Sequence, residues 1–398
     1  MEYKLLSSLF FQDQQKYNEI YNARISSEST IIFDFSLNGN KAFCCLTNEI
    51  QNMIYNIQKN DQKIYKLCWS LPPIALEQFI NRCLVDEIVL TNDIEGVNST
   101  RREINGILSD LKKKDKRKRF YGLVQKYSML GKSEQPLNTC EDIRNLYDEL
   151  VLPEILDDDK ENAPDGKIFR KDLSEVVSPT QKILHRGLFP EEKIISAMED
   201  ALKILNDENI NILIRVSVFH YLFGFIHPFY DGNGRTSRFI SSYLLANEFE
   251  SPIEYRLSYT IKENITAYYK AFKTCNDKNN KGDLTPFVIM FLDIIQKSMS
   301  ALYQALEKRA NSLNYYSQKA SQLKIATEKT TNDILFILVQ ASLFSEEGVT
   351  KTEILSSIDA GLSTLNNRLK MLEQNKDLII KKKFSHEYKY KLNLEFFS

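Results

Sequence analysis

The 398-residue sequence is short of turn-forming residues, with 13 glycines and 10 prolines, too few for a β-sandwich or barrel and its many reversals. It has almost no net charge. The 52 Lys and Arg are balanced by 53 Asp and Glu, so nucleic acid could be held only by a local patch. Four histidines without clustered His/Cys spacing argue against a structural zinc site. Six cysteines, at 44, 45, 68, 83, 140 and 275, contain no C-x-x-C pair and read as reduced, packed thiols of a cytosolic protein. The longest nearly apolar stretches, 216–226 and 334–343, reach about half the length of a bilayer span. Residues 1–10 carry one Lys and no long apolar core, unlike a signal peptide. The expectation is a cytoplasmic chain with no membrane partner.

What is present suits a globular protein. Hydrophobic residues make up 43%, charged residues 26% and aromatic residues 11%, enough to bury the cores of about two to four domains. The expected fold is mainly α. Residues 1–150 read as a helical region, with apolar steps of three and four through Ile50, Ile54, Ile57, Ile64 and Leu67 and again through Phe79, Ile80, Leu84 and Ile88. Pro72 and Pro73 open the second of these helices. The basic run 112–119, seven cations and one Asp, reads as a solvated helix end or loop. Residues 153–167 read as a turn-rich connection. Two short strands, 175–178 and 182–185, flank Ser178 and Pro179 as a hairpin. Helical pattern then runs from Pro190 and Glu191 to about 325, with a break at Gly282 and Asp283 and a restart at Pro286.

The division expected is a helical region over 1–150, a core over 151–318, a linker over 319–330 and a final module over 331–398. That module reads as helices at 332–343, 350–357 and 362–375, with a turn at Asp359, Ala360 and Gly361, then strands at 378–383 and 388–393 joined across Ser385, His386 and Glu387. The order resembles a winged helix-turn-helix with 362–375 as its second helix. DNA binding, with Arg368, Lys370, Lys376 and Lys381 to Lys383 as its cations, and a dimerisation wing are both open.

The densest chemistry lies at 227–238: His227, Pro228, Phe229, Tyr230, Asp231, Gly232, Asn233, Gly234, Arg235, Thr236, Ser237 and Arg238. An apolar helix over 212–226 stops at His227, because Pro228 prevents clean continuation. Asp231 to Gly234 suit positive φ and close backbone approach. A second helix from near Gly234 then turns its free N–H groups to the loop, with Arg235 and Arg238 beside them. His, Asp, an amide nest and two Arg on one loop suit a Mg²⁺-bound polyphosphate. An EF-hand is excluded, since Thr236 and Ser242 stand where its Gly and Glu are required, and a Walker A loop lacks its Gly-Lys-Ser/Thr.

The string matches the Fic family signature, His-Pro-Phe-x-Asp/Glu-Gly-Asn-Gly-Arg-x-x-Arg, at every fixed position, and the resemblance extends over about 85–295. It implies a helical core with a short β-hairpin flap and a nucleotidyltransferase that moves AMP from ATP to a Ser, Thr or Tyr hydroxyl of a protein. It implies that His227 is the general base and that Asp231 holds Mg²⁺. Gly232, Asn233 and Gly234 with Arg235 would cradle the phosphates, and Arg238 would take the terminal one. Gly166 to Arg170 resembles the approach to the flap. Ile183, Leu184, His185 and Arg186 sit where the flap covers nucleotide and aligns a target by strand addition. Tyr268, Tyr269 and Asn276 resemble adenine-pocket residues, and simple helix packing is the other reading of the Tyr pair. Thr91 to Gly96 fits the family's inhibitory pattern Ser/Thr-x-x-x-Glu-Gly/Asn, which implies a brake in which Glu95 pairs with Arg238. Removal of AMP, transfer of another nucleotide, and a DNA-binding regulator whose Fic core senses nucleotide are the alternatives. Homodimerisation is left open.

Overall fold

The computed structural model describes residues 3–111, 118–177, 183–326, 328–345, 347–375, 377–384 and 387–397. Most of the basic run, Ser178 and Pro179, Lys182, Lys376, and the turn at Ser385 and His386 fall outside these residues. The fold is mainly helical, and its described strands form three small sheets.

Two compact units are distinguished, Met1–Gln62 with Leu84–Ser300, and Lys63–Cys83 with Ala301–Ser398. The first opens with α1 (Leu6–Gln12), α2 (Gln14–Ile25) and an antiparallel hairpin of β1 (Thr30–Leu37) and β2 (Asn40–Cys45). The hairpin is an addition to the mainly helical reading of 1–150. Phe33, Phe35 and Leu37 are buried in alternation with exposed Asp34 and Ser36, the period of a half-buried strand. Asn38 and Gly39 make the reversal, so that Leu37 pairs with Asn40.

Helices follow as α3 (Asn48–Trp69), α4 (Pro73–Ile94), α5 (Arg101–Asp110), α6 (Tyr121–Ser128), α7 (Cys140–Leu150) and α8 (Leu152–Asp158). Pro73 stands at the first position of α4, where its missing N–H costs nothing. A capping box of Thr139 and Asp142 starts α7. The stretch 153–167 is less irregular than expected, because α8 occupies its beginning and Pro153 fits the first turn. The flap is β3 (Glu175–Val177) paired with β4 (Ile183–Arg186), close to the expected strands.

Then come α9 (Glu191–Leu205), α10 (Ile212–Ile226), α11 (Asn233–Glu248), α12 (Leu257–Glu263), α13 (Ile265–Asn276) and α14 (Thr285–Ser321). Helix α10 has the expected bounds. It is apolar around its circumference and buried around it too, including Val216, Phe219, Leu222 and Phe223, so it serves as the core on which α9 and α11 pack. Each such side chain contributes about 1.5–3 kcal/mol of burial. By length and composition α14 would also suit a membrane span; its Phe287, Phe291, Leu292 and Ile295 are buried in the fold.

The second unit contains α15 (Lys329–Phe344), β5 (Val349–Thr350), α16 (Lys351–Leu355), α17 (Leu362–Glu373), β6 (Ile379–Phe384) and β7 (Glu387–Leu392). Its antiparallel sheet has the order β5-β7-β6. Strand β5, absent from the sequence reading, is two residues long, too short for a periodic signal. Ile334, Leu338, Ile354, Leu365, Leu369 and Tyr390 form the buried centre. The division between units falls inside α3, α4 and α14. No disulfide joins any of the six cysteines, and all six are buried.

Candidate active site

The site is built where α10 stops. His227 adopts a left-handed conformation, φ 54° and ψ 62°, and its N–H still donates to Phe223 O at 2.9 Å, so the imidazole leaves the helix at a fixed angle. Asn233 closes the loop that follows. Its Oδ1 accepts from Phe229 N at 3.0 Å and its Nδ2 donates to Phe229 O at 2.8 Å. Phe229 in turn stacks on Tyr147 of α7, with ring centroids 3.6 Å apart. Gly232 is the N-cap of α11. The loop is thus rigid before any ligand binds.

The two arginines of the loop part company. Arg238 lies in a cavity of about 610 Å³ together with His227, Glu95, Ile183, Tyr268 and Tyr269. Its Nε donates to Thr91 Oγ1 at 2.8 Å, and its Nη2 donates to Thr91 O at 3.0 Å and to Glu95 Oε1 at 2.8 Å. Burial works against the charge on Arg238, but Glu95, Tyr268 and Tyr127 outweigh it and hold the pKa above its usual value. A side chain at Gly234 would overlap Glu95 Oε1 and come within 2.9 Å of Arg238 Nη1, so the glycine makes room for the pair.

Arg235, expected among the phosphate ligands, points elsewhere. It is buried and ion-paired with Glu154 of α8, and its Nη2 lies 3.7 Å from Asp231. A buried guanidinium needs a carboxylate, and Glu154 meets that need outside the cavity. The pair ties the start of α11 to α8. Asp231 is partly exposed, with Oδ1 accepting from the Gly232 N–H and Oδ2 facing Arg235.

The flap places its residues unequally. Ile183 lines the cavity. Leu184 lies in β4, and Arg186 is exposed and paired with Glu175 across the hairpin at 2.9 Å, away from the cavity. His185 donates from Nε2 to Phe225 O at 2.7 Å, which leaves Nδ1 to accept from Asn276 Nδ2 at 3.3 Å. Asn276 Oδ1 accepts from Tyr221 at 2.7 Å. His185 and Asn276 also line the cavity, and these hydrogen bonds latch the flap to α10 and α13 there.

Tyr268 and Tyr269 both reach the cavity, the first buried and the second partly exposed. The Tyr268 hydroxyl is held 2.7 Å from His220 Nε2, and His220 Nδ1 is 2.8 Å from Ser241 Oγ. Ser241 donates its own proton to Ser237 O, so the ring gives a proton to Ser241 and accepts one from Tyr268. Burial, with Arg238 nearby, pushes His220 down to about 3 and keeps it neutral. Burial also pushes His227 down to about 3, helped by neighbouring His185 and by the charge of Arg170, so its imidazole is neutral and able to accept a proton.

One partner went unnoticed in the sequence. Buried Glu87, two turns before Glu95 on α4, accepts from the Ser258 N–H through both oxygens at 2.8 and 2.9 Å. It caps α12 and fixes α4 against the site. Burial lifts its pKa to about 7 against the pull of Ser258 and Arg238.

Comparison with known proteins agrees with the signature. Residues 137–245 match the model of the Fic/DOC family. Over 98 residues the chain is 36% identical to "Protein adenylyltransferase Fic" of Drosophila erecta, covering 24% of this chain and 18% of that protein. Over 106 residues it is 30% identical to the protein of the same name from Drosophila willistoni, covering 27% and 20%. The chain thus spans about a fifth of the length of these relatives. A Fic family protein from Desulfovibrio desulfuricans G20, 17% identical, shares the fold with a TM-score of 0.50 over 87% of this chain and 96% of its own. With the twelve-residue signature placed at the mouth of α11 and a family match around it, the chain contains a Fic domain over residues 137–245.

Proposed function

We propose that this chain is a self-inhibited protein adenylyltransferase, which moves AMP from ATP to a Ser, Thr or Tyr hydroxyl of a protein. The observation that carries the reading is Glu95 on Arg238, in the cavity that also holds His227. A buried guanidinium beside a neutral imidazole suits a polyphosphate and a hydroxyl, and a carboxylate on that guanidinium occupies the place of a terminal phosphate. His227 takes the hydroxyl proton while the target oxygen bonds to the α-phosphorus and the bond from that phosphorus to the bridging oxygen breaks, releasing pyrophosphate. The negative charge of the bound polyphosphate favours a protonated ring, which raises the basicity of His227 at the moment it is needed.

Mg²⁺ fits the donors present. Asp231 offers a hard, partly exposed carboxylate, and among the described residues no three-ligand cage competes with it, in keeping with an ion that relies on one carboxylate, phosphate and water. Bound there, the metal would neutralise phosphate charge. The closing contact of Glu95 would keep ATP from seating its terminal phosphate on Arg238.

The C-terminal helices and sheet suit a winged helix-turn-helix, with α17 as the second helix. Of its cations, Arg368 pairs with Glu328, Lys381 with Glu373 and Lys389 with Glu347, which weighs against a strong phosphate grip. Purified protein is mixed with cell lysate, Mg²⁺ and ATP labelled at the α-phosphate. Label transferred to protein by the parent or by Glu95→Gly, and lost on His227→Ala, supports the reading. No transfer by either, with tight binding to duplex DNA, supports a nucleotide-sensing regulator instead.

A further inference from the structure

Arg170 is fully buried, and three of its contacts run to backbone carbonyls rather than to carboxylates. Nε donates to the His227 carbonyl at 2.9 Å, Nη2 donates to Leu188 O at 2.8 Å, and Nη1 donates to Asp172 O. Asp172 lies just before β3 and Leu188 just after β4, so one planar group grips both roots of the flap and the carbonyl of the imidazole-bearing residue. The main chain joins the same knot, because Arg170 N donates to Pro228 O at 3.3 Å and Leu188 N to Ile226 O at 3.1 Å. Gly187 leaves the space for it. A Cβ there would overlap Arg170 Nη2 and sit 2.9 Å from His227 Cβ and 3.2 Å from Ile226 O.

We propose that Arg170 is a positioning residue of the transfer reaction, tying the His227 carbonyl to both ends of the flap so that imidazole and flap keep one fixed relation. The proposal rests on the transferase reading given above. Its physical basis is the guanidinium fork, whose fixed donors can hold three carbonyls at once where a lysine could hold them only loosely. A general base must stay within about 3 Å of the hydroxyl it serves, and a displacement of about 1 Å from a remote change costs roughly a hundredfold in rate. The neighbouring groups that lower the His227 pKa are His185 from β4 and Arg170 itself, and Arg238 and Glu95 line the same cavity.

Full-length Arg170→Lys, Arg170→Gln and Gly187→Ala test this, the last by pushing the guanidinium aside without removing it. Histidine-ring NMR is recorded first without nucleotide, with His227→Ala for assignment. Labelling kinetics follow in the Glu95→Gly background, with thermal melts to confirm folding. The His227 ring signals should shift in all three variants, and its titration should move upward in Arg170→Gln as a neighbouring cation is lost. The His220 ring, held by Ser241 and Tyr268, should keep its position. The kcat should fall about 10- to 100-fold with the KM for ATP within about twofold, and Arg170→Lys should retain part of the activity. An unmoved His227 ring overturns the proposal, and so does a fall confined to ATP binding. If Glu95→Gly itself transfers no label, the transferase reading fails, and the ring signals alone decide the role of Arg170.

Discussion

Replacing Glu95 with Gly should release the enzyme, and the structure sets the size of the effect. Glu95 lies one residue beyond the end of α4, so glycine there carries no helix-interior penalty. Arg238 keeps its donations to Thr91 Oγ1 and O and stays aimed into the cavity. What is lost is one charge-assisted hydrogen bond of 2.8 Å, of a kind worth about 1.5–3 kcal/mol. The Arg238 side chain is 1% exposed but that of Glu95 is 24% exposed, so screening places the value in the lower part of that range. At about 1.4 kcal/mol per factor of ten, transfer from α-labelled ATP should rise about ten- to fiftyfold. Initial rates of label incorporation into the protein itself and into lysate targets measure this. Combining Glu95→Gly with Arg238→Ala should return labelling to a low level, because brake and phosphate share one guanidinium. Equal rates for parent and Glu95→Gly would show that the ion pair does not control nucleotide placement.

Asp231→Ala should abolish the Mg²⁺ dependence of labelling, and superimposed Mg²⁺ titrations of variant and parent would remove Asp231 from the metal's surroundings. Burial lifts Glu254 to about 8, so between about pH 4.5 and 8 the unfolded chain has lost a proton that the folded one keeps, and stability drains away as pH rises. Glu254→Gln should therefore gain on the parent by about 2–3 kcal/mol between pH 5 and 7, read as a widening gap in melting temperature; a flat or shrinking gap refutes the assignment. If α17 and β6 hold a duplex, the complex should weaken steeply with salt and be lost on charge reversal of Lys382 and Lys383, and a mobility shift that ignores both would favour a protein-contact role.

What could be read in the sequence was what lies close together along it. The loop from His227 to Arg238 is contiguous, and Asn233 and Phe229, which close it, are four positions apart. Helix α10 was legible from its apolar run and from Pro228 as its stop, while its Asn211 cap is seen only in the structure. The supports of the loop were not legible. Glu154 braces Arg235 across 81 positions, Arg170 reaches the His227 carbonyl across 57, and Glu87 caps Ser258 across 171. Such pairs leave no periodic trace, since each residue alone is an ordinary charge on an ordinary helix or loop. The β1–β2 hairpin is a different case. Its Asn-Gly reversal between alternating apolar residues is a hairpin signal in the sequence that the mainly helical reading of 1–150 does not include. His185 and Asn276 line the cavity, and the hydrogen bonds that hold them there leave no trace in the sequence because they depend on Phe225 and Tyr221, contributed by another helix.

The pairing of both loop arginines has a consequence for how nucleotide first arrives. With Arg235 neutralised by Glu154 and Arg238 by Glu95, the resting cavity offers an approaching polyanion little attraction from its depth. Among the described residues, the other cations at its lining are Lys270 and Lys273, exposed on α13. On the proposed function these two side chains would contribute to the diffusional capture of ATP by the resting protein, with a field that fades within about 10 Å at ordinary ionic strength. Removing the Glu95 carboxylate adds a third cation at the bottom of the funnel, so the encounter rate of nucleotide, and its sensitivity to salt, rises together with its productive placement. On the proposed function, the Glu95–Arg238 pair would work twice, slowing the arrival of the nucleotide as well as misplacing it on arrival.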